Sequence, residues 1–284
     1  MEVIEIQDWY EFKDLVSSKN MHSWIYRGQS NASWPMVSSL SRYLISFKVH
    51  KDAWSHQEER LLRIFKRKAH HFLNHLPNDN EAFEWLALMQ HFGTPTRLID
   101  FSFSPYVSAF FAIHRTTIDS AVWAIFPPNF DRDDTVTLMD GTKLNPKEMW
   151  MRTENSYENN FLPGTNNFLV MGEPEKMNQR LIAQAGTFVV PGVLDKTLES
   201  VVLNYYPDGD KCIKKIILKK DIRDEAMRDL YRSNITESTL FPGIDGMARS
   251  LAFDLEYHWA YNPKTMKKLP GFDNPPFGLP KGIK

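Results

Sequence analysis

Residues 23–30 read SWIYRGQS, and this stretch places a charged side chain directly after an apolar run. Residues 23–26 predict a short buried strand that ends at Arg27 and Gly28. A guanidinium at the end of a strand is suited to an anion, and a glycine lets a ligand or another backbone approach closely. An ordinary ion pair between Arg27 and an acid is the alternative interpretation. The stretch therefore predicts either an anion site or a strand-end ion pair.

Two further blocks of sequence accompany this stretch. Residues 85–102 read WLALMQHFGTPTRLIDFS and lead into the run AFFA at 109–112, and residues 236–248 read TESTLFPGIDGMA. The three blocks, in this order, resemble the FRG domain family, which is named for an aromatic-Arg-Gly motif. Here the aromatic residue of that motif is Tyr26. The resemblance spans roughly residues 1 to 260 and implies one domain with a cleft formed by the three blocks.

The composition is that of a globular protein with a substantial core. The chain has 284 residues, of which 42% are hydrophobic and 13% aromatic. Its 34 basic and 35 acidic residues leave a net charge of -1. Overall charge therefore provides no attraction to nucleic acid or to an anionic membrane, and any such binding requires a local patch.

Three features of the sequence predict a cytoplasmic protein with no membrane partner. One cysteine, Cys212, cannot form a disulfide within the chain. The acidic start of the sequence is unlike a secretory signal. No apolar run approaches the length that spans a membrane.

Hydrophobic periodicity predicts a mixture of helices and strands. Residues 57–76 give the clearest helical pattern, with Glu58 and Glu59 in the first turn, where the helix dipole favours acids. Ser104 and Pro105 are typical of a helix start, as N-cap and first helical residue. The other predicted helices are 8–16, with Asp8 as N-cap, 81–91, 223–231 and 245–259, and the predicted strands are 96–101, 121–126, 187–190 and 213–218.

This arrangement predicts an α+β fold, with a mixed central sheet and flanking helices. The FRG domain is expected to occupy residues 1–261. Within it, residues 129–167 are polar and predict an insertion or a lid over the core. Residues 262–284 are rich in Pro, Gly and Lys, and we expect them to form an extended, poorly packed tail.

The order of the blocks also resembles, more weakly, the layout of the ADP-ribosyltransferase superfamily. Tyr26, Arg27 and Gly28 match its first strand, and Ser102 leading into 109–112 matches its second strand and helix. The resemblance implies a cleft that takes NAD+ as substrate, with Arg27 holding a phosphate and Ser102 bonding near the nicotinamide ribose. The implied cofactor-binding residues are Tyr26, Arg27, Gly28, Gln29, Gln90, His91, Asp100 and Ser102.

The third element of that layout is a carboxylate beside the scissile bond. Residues 180–188 resemble the glutamine-containing run that precedes it, but no acid follows Gln184 before Asp195. Glu237 is therefore the predicted acid, and Arg27, Ser102 and Glu237 are the predicted catalytic residues. A helix-entry capping role beside Thr236 is the alternative for Glu237.

Two functions follow from these patterns. The first is an enzyme that transfers ADP-ribose from NAD+ to nucleic acid or protein, as in bacterial defence against an invader. The second is a non-catalytic module that senses a nucleotide or nucleic acid, which the missing acid after Gln184 favours.

Several other residues have ordinary structural interpretations beside functional ones. His91 ends a predicted helix, where it either bonds a ligand or caps a carbonyl. Asp100 is a site candidate, or the partner of Arg27 or Arg97. The basic stripe of the long helix either follows a polyanion or is a solvated face; its residues are Arg60, Arg63, Lys66, Arg67 and Lys68. His70, His71 and His75 lack the cysteine or carboxylate that would complete a metal site, so we expect no metal.

Overall fold

The computed structural model describes residues 1–127, 135–258 and 260–269. Their strands are β1 (Glu2–Ile6), β2 (Ile25–Gln29), β3 (Ile99–Ser102), β4 (Ser120–Ile125), β5 (Val136–Thr137), β6 (Lys143–Leu144), β7 (Thr165–Gly172), β8 (Gly186–Val193) and β9 (Ile213–Leu218). Seven of them form one sheet in the order β1-β9-β4-β2-β3-β8-β7, and β5 pairs with β6. Because β1 and β9 are parallel and the other neighbours antiparallel, the sheet is mixed.

Helices cover both faces of this sheet. They are α1 (Trp9–Ser17), α2 (Ser39–Ser46), α3 (Trp54–Ala69), α4 (Ala82–His91), α5 (Pro105–Ile113), α6 (Pro146–Met149), α7 (Gln179–Ala183), α8 (Leu198–Tyr205), α9 (Arg223–Arg232), α10 (Glu237–Leu240) and α11 (Ile244–Glu256). One core contains apolar residues of α3, α4 and α8, and the other contains those of α1, α5 and α9. The predicted α+β fold with a mixed central sheet is confirmed.

The side chains of β2 alternate between the two cores, as a strand requires. Ile25 packs into the core of α4 and α8, and Tyr26 into the core of α1 and α5. The strand was predicted to end at Arg27 and Gly28, and it continues one residue further, to Gln29. β4 pairs with β2 at all five positions and holds Arg27 within the sheet.

The predicted N-caps Asp8 and Ser104 are confirmed, whereas the predicted position of Glu58 in the first turn of its helix is wrong. Asp8 accepts a hydrogen bond from the Glu11 amide, and Ser104 accepts one from the Val107 amide ahead of α5. The long helix begins at Trp54, which moves Glu58 into its second turn. There the Glu58 carboxylate is buried and ion-paired with the buried Arg97, instead of facing solvent at the helix start.

Gly28 allows another backbone to approach β2 closely, as the sequence predicted for a glycine at this position. α5 crosses directly over β2, and a Cβ at Gly28 would lie 2.6 Å from the Ala112 amide nitrogen and still closer to the Ser108 carbonyl oxygen. Position 28 therefore requires glycine because of the α5 backbone, with which any larger residue at this position would collide.

The region expected to be an insertion or a lid is part of the core. Residues 135–167 bury Leu138, Leu144, Trp150 and Phe161 in the same core as α4 and α8. The polar composition of this segment gave no indication that these apolar residues are buried. Residues 129–134 of that region, Trp259 at the end of the predicted last helix, and 270–284 of the predicted tail lie outside the described residues. At the start of the tail, Tyr261 pairs with Lys268 in an isolated antiparallel bridge.

Where the chain is described, it has no helix that combines the length and the hydrophobicity needed to cross a membrane.

Candidate functional site

A cleft opens where β2 and β3 separate. The two strands are paired at a single position, Tyr26 with Ser102, whereas β2 and β4 are paired along their whole length. Beside this position lies a cavity of about 660 Å³, lined by residues of β2, β3, α2, α5 and α7 and by the loop before α2. A cavity of this size lies within the range of small-molecule sites.

Arg27 projects from β2 into the gap between the two strands. Its Nη1 donates to the Asp100 carbonyl oxygen at 2.6 Å and lies 3.6 Å from the Asp100 carboxylate. This side-chain hydrogen bond links β2 to β3 beside the gap. The Arg27 Nε is buried and has no hydrogen-bond partner among the residues that the structure describes. Burial lowers the pKa of Arg27, which Asp100 opposes, so the cation is desolvated and retains an unused donor.

Two more arginines, neither of them among the predicted site residues, line the cleft. Arg42 on α2 donates to the Val37 carbonyl oxygen at 3.0 Å. Arg180 on α7 lies with its guanidinium carbon 4.6 Å from the centre of the Phe241 ring, and burial lowers its pKa. Among the described residues of the lining, Asp100 is the one acid, so the cleft carries an excess of positive charge. This charge favours an anionic ligand.

Other predicted site residues line the cleft but use their polar atoms within the protein. The Tyr26 hydroxyl donates to the Met21 carbonyl oxygen at 2.8 Å, and burial raises its pKa to about 12. Gln29 accepts from the Trp123 indole N–H at 2.7 Å and donates to the Pro35 carbonyl. These bonds fix the walls of the cleft rather than present donors to a ligand.

Ser102 has a similar structural task. Its hydroxyl donates to the Gln184 carbonyl oxygen at 2.7 Å and accepts from the Ser104 amide at 2.9 Å. The residue therefore ties the end of β3 to the start of β8 and to the turn before α5. Ser102 is also one of the residues that line the cleft.

Gln90 and His91 lie beside the cleft without lining it. The Gln90 amide donates to the Asp100 carboxylate at 3.0 Å and so orients the acid that faces Arg27. The His91 Nδ1 is buried with no hydrogen-bond partner. Burial lowers the pKa of His91, and the nearby Arg180 lowers it further. Of the predicted set, the cleft itself thus contains Tyr26, Arg27, Gly28, Gln29, Asp100 and Ser102.

Glu237 lies at the first position of α10 and does not line the cleft. Its buried carboxylate is 2.6 Å from a guanidinium nitrogen of Arg115 and 2.9 Å from Nε of Arg249. The cap of α10 is formed by Thr236 and Thr239, so the alternative interpretation of Glu237 as a capping residue is wrong. Glu237 instead joins the end of α5 to α11.

The described part of the chain holds no cluster of three or more His, Cys, Asp or Glu side chains with the spacing of a metal site. His70 and His71 contact each other through their rings, with the centroids 3.9 Å apart. The charged groups in the described lining of the cleft are three guanidinium groups and one carboxylate, and aromatic rings lie beside them.

Comparison with known proteins identifies part of this framework. Residues 22–120 match the family model of the FRG domain. That segment contains β2, β3, α5 and most of the residues that line the cleft. No curated protein and no solved structure matches the chain.

Proposed function

The chain carries an FRG domain in residues 22–120, as its aromatic-Arg-Gly motif indicates, and on that premise we propose that the cleft binds NAD+ and that the protein transfers ADP-ribose. The observation that carries the proposal is the buried, unpartnered Nε of Arg27 in a cleft with an excess of positive charge. A charged donor of this kind is costly to leave unpaired, and a phosphate oxygen satisfies it.

A dinucleotide suits the other features of the cleft. Its pyrophosphate carries two negative charges, and Arg42 and Arg180 provide two further cations beside Arg27. Its two flat rings need apolar or aromatic surface, which Trp34 and Phe111 provide within the same lining. These contacts support NAD+ as the ligand.

The reaction breaks the C–N bond between the nicotinamide and its ribose. The bonding electrons pass to the ring nitrogen and neutralise its positive charge, so nicotinamide leaves and positive charge develops on the ribose. An acceptor nucleophile then bonds to the ribose C1′ and loses a proton. A carboxylate beside the ribose stabilises the developing charge. Nucleic acid and protein are the acceptor classes that the proposal includes.

Two carboxylates are candidates for this role. Asp100 lines the cleft, but it is paired with Arg27 and Gln90. Glu237 is the acid that the sequence indicates, but it is buried between Arg115 and Arg249. Asp100→Asn and Glu237→Gln remove one charge each while they keep size and most hydrogen bonding. We expect the catalytic one to lose turnover and retain NAD+ binding.

The test uses NAD+ with a label in its adenosine half. Protein is incubated with it and with single-stranded DNA, RNA or a protein mixture, and released nicotinamide and labelled acceptor are measured. The proposal predicts both products with wild type. Equal turnover by wild type and Glu237→Gln would exclude Glu237 as the catalytic acid, and equal turnover by Asp100→Asn would exclude Asp100.

The second candidate function is a non-catalytic module that binds a nucleotide or nucleic acid. The ion pairs that occupy both Asp100 and Glu237 favour it. NAD+ binding without nicotinamide release in the presence of every acceptor would support this function over the enzyme. A cytoplasmic location and a role in bacterial defence stay predictions from the sequence.

A further inference from the structure

One wall of the cleft carries exposed aromatic side chains. We call residues 31–48, the loop after β2 together with α2 and Lys48, the α2 rim. Trp34 is 51% exposed, Tyr43 51%, Ile45 56% and Phe47 70%. Single exposed apolar residues are common, but a group of them beside a cleft marks a surface that binds something.

The α2 rim is continuous with the cleft. Trp34, Arg42 and Ile45 belong both to the rim and to the lining of the cavity. The next exposed face of α2 carries Tyr43 and Phe47, whose ring centroids are 5.6 Å apart with the planes inclined by 39°. The exposed aromatic pair therefore lies at the helix that also provides Arg42 and Ile45 to the cleft.

The charge of the α2 rim differs from that of the whole chain. No Asp or Glu occurs from residue 15 to residue 51, although the chain as a whole has a net charge of -1. Arg42 and Lys48 are the exposed cations of the rim. Of the acids from neighbouring elements, Asp195 pairs with Lys51, and Glu199 accepts from the Met36 amide. This local charge complements a polyanion.

Lys48 occupies a backbone position that normally favours glycine. Its φ is 55°, in the left-handed region. The Lys48 amide donates to the Ile45 carbonyl and the Val49 amide to the Leu44 carbonyl, which together form a Schellman motif at the end of α2. A lysine at this position strains the backbone slightly, and its side chain is exposed at the end of α2.

We propose that the α2 rim binds single-stranded nucleic acid. Unpaired bases stack on Trp34, Tyr43 and Phe47, and the phosphates contact Arg42 and Lys48. Stacking on exposed rings requires bases that are free of a duplex, which selects single strands. The role of this strand as the acceptor of ADP-ribose rests on the proposed function. Its binding to the α2 rim is measured without NAD+ and is tested separately.

The experiment measures fluorescence anisotropy of labelled oligothymidine and oligouridine of about twelve nucleotides, with a duplex of equal length for comparison. We expect the single strands to bind more tightly than the duplex. Tyr43→Ala and Phe47→Ala should each weaken binding about tenfold, because each removes one stacking platform. Tyr231→Ala removes a similarly exposed aromatic residue on α9 and should leave affinity unchanged.

Lys48→Gly is the sharpest variant, because it separates folding from binding. Glycine relieves the backbone strain, so thermal stability should stay the same or rise. Loss of the cation should lower the salt dependence of binding, with a slope of log K against log salt smaller by about 0.7. Thermal unfolding and titrations at several salt concentrations measure the two effects.

Three results would overturn the proposal. The first is failure of wild-type protein to bind either single strand at low salt, whether or not it turns over NAD+. The second is unchanged affinity in Tyr43→Ala, Phe47→Ala and Lys48→Gly. The third is a wild-type dimer in light scattering that Phe47→Ala converts to a monomer without affecting oligonucleotide binding, which would make the rim a contact between copies of the chain.

Discussion

Arg27 and Arg97 lie in the same matched segment and differ in how completely they are paired. The Arg97 side chain is fully buried, its Nε donates to the Glu58 carboxylate at 2.8 Å, and its Nη1 donates to the Pro191 carbonyl at 3.1 Å. Arg27 bonds the Asp100 backbone, its Nε has no partner, and its acid is half exposed. One guanidinium is satisfied by the protein, and the other, on a residue that lines the cavity, keeps one donor unpaired among the described residues.

The difference indicates separate tasks for the two arginines. A buried cation with all its partners in place connects elements, here α3 with β8, and has no capacity for a ligand. A desolvated cation with an unused donor gains most from an incoming anion.

Arg97→Met should lower the free energy of unfolding by about 3–5 kcal/mol, because it leaves the Glu58 carboxylate buried without a counter-charge. Urea denaturation measures the loss. The double variant Glu58→Met/Arg97→Met removes both charges and should recover part of it. A loss of less than about 1 kcal/mol in the single variant would contradict a scaffold role.

Arg27→Ala should weaken NAD+ binding by about 1.5–3 kcal/mol through loss of a charged hydrogen bond, with little change in unfolding free energy. Calorimetric titration with NAD+ measures the change in affinity, and urea denaturation measures the change in unfolding free energy. Arg60→Ala, on the basic stripe of α3, is the matched control. Unchanged binding together with gross unfolding would place Arg27 in the same class as Arg97.

Gly28→Ala should destabilise the protein by about 1–3 kcal/mol, because the added methyl group collides with the α5 backbone over β2. Gly93→Ala is the comparison, since φ there is 82° and a Cβ meets no atom within 4 Å. It tests backbone strain without a collision. Thermal unfolding of the two variants separates these causes, and equal stability of Gly28→Ala and wild type would show that α5 can move away.

The pH dependence of stability should report on His91. Its pKa in the folded protein is lowered, first by burial and then by Arg180, so the unfolded chain binds the proton more readily. The contribution is fully present above pH 6.5, the ordinary value, and is lost as the pH falls from there through the lowered pKa of the folded protein. The slope should stay below about 1.4 kcal/mol per pH unit for one proton.

Urea denaturation between about pH 7 and pH 5 measures this slope. The pKa of His114 is also lowered by burial, so the comparison is between wild type and His91→Gln, in which the His114 contribution cancels. Parallel curves for the two proteins would contradict the expected shift at His91.

Sequence patterns predicted the elements better than the partners of polar residues. The apolar runs of β4 and β9 and the capping residues of α1 and α5 are local signals, and the structure confirms them. Glu58 shows the limit. Helical periodicity places it on a helix, but its partner lies 39 residues away, and only the packing of α3 near β8 brings the two together.

The cleft also shows that local sequence patterns do not predict which distant residues come together. The aromatic-Arg-Gly motif and Asp100 identify one side of it, and the pairing of Arg27 with Asp100 was one of two alternatives. Arg42 was missed because it stands on a short helix with no motif of its own. Arg180 was missed because the run 180–188 was considered for its glutamine and for the acid expected after it. They reach the cleft through the strand order, which no local pattern encodes.

The single pairing position between β2 and β3 has a consequence for the kinetics of opening. It leaves the sheet as two blocks, β1-β9-β4-β2 and β3-β8-β7, joined chiefly at Tyr26 and Ser102. We expect native-state amide exchange to distinguish these blocks as separate cooperative units. An anion held between Arg27 on one block and Arg180 near the other would slow exchange in both, so occupancy of the cleft would be detectable far from the ligand.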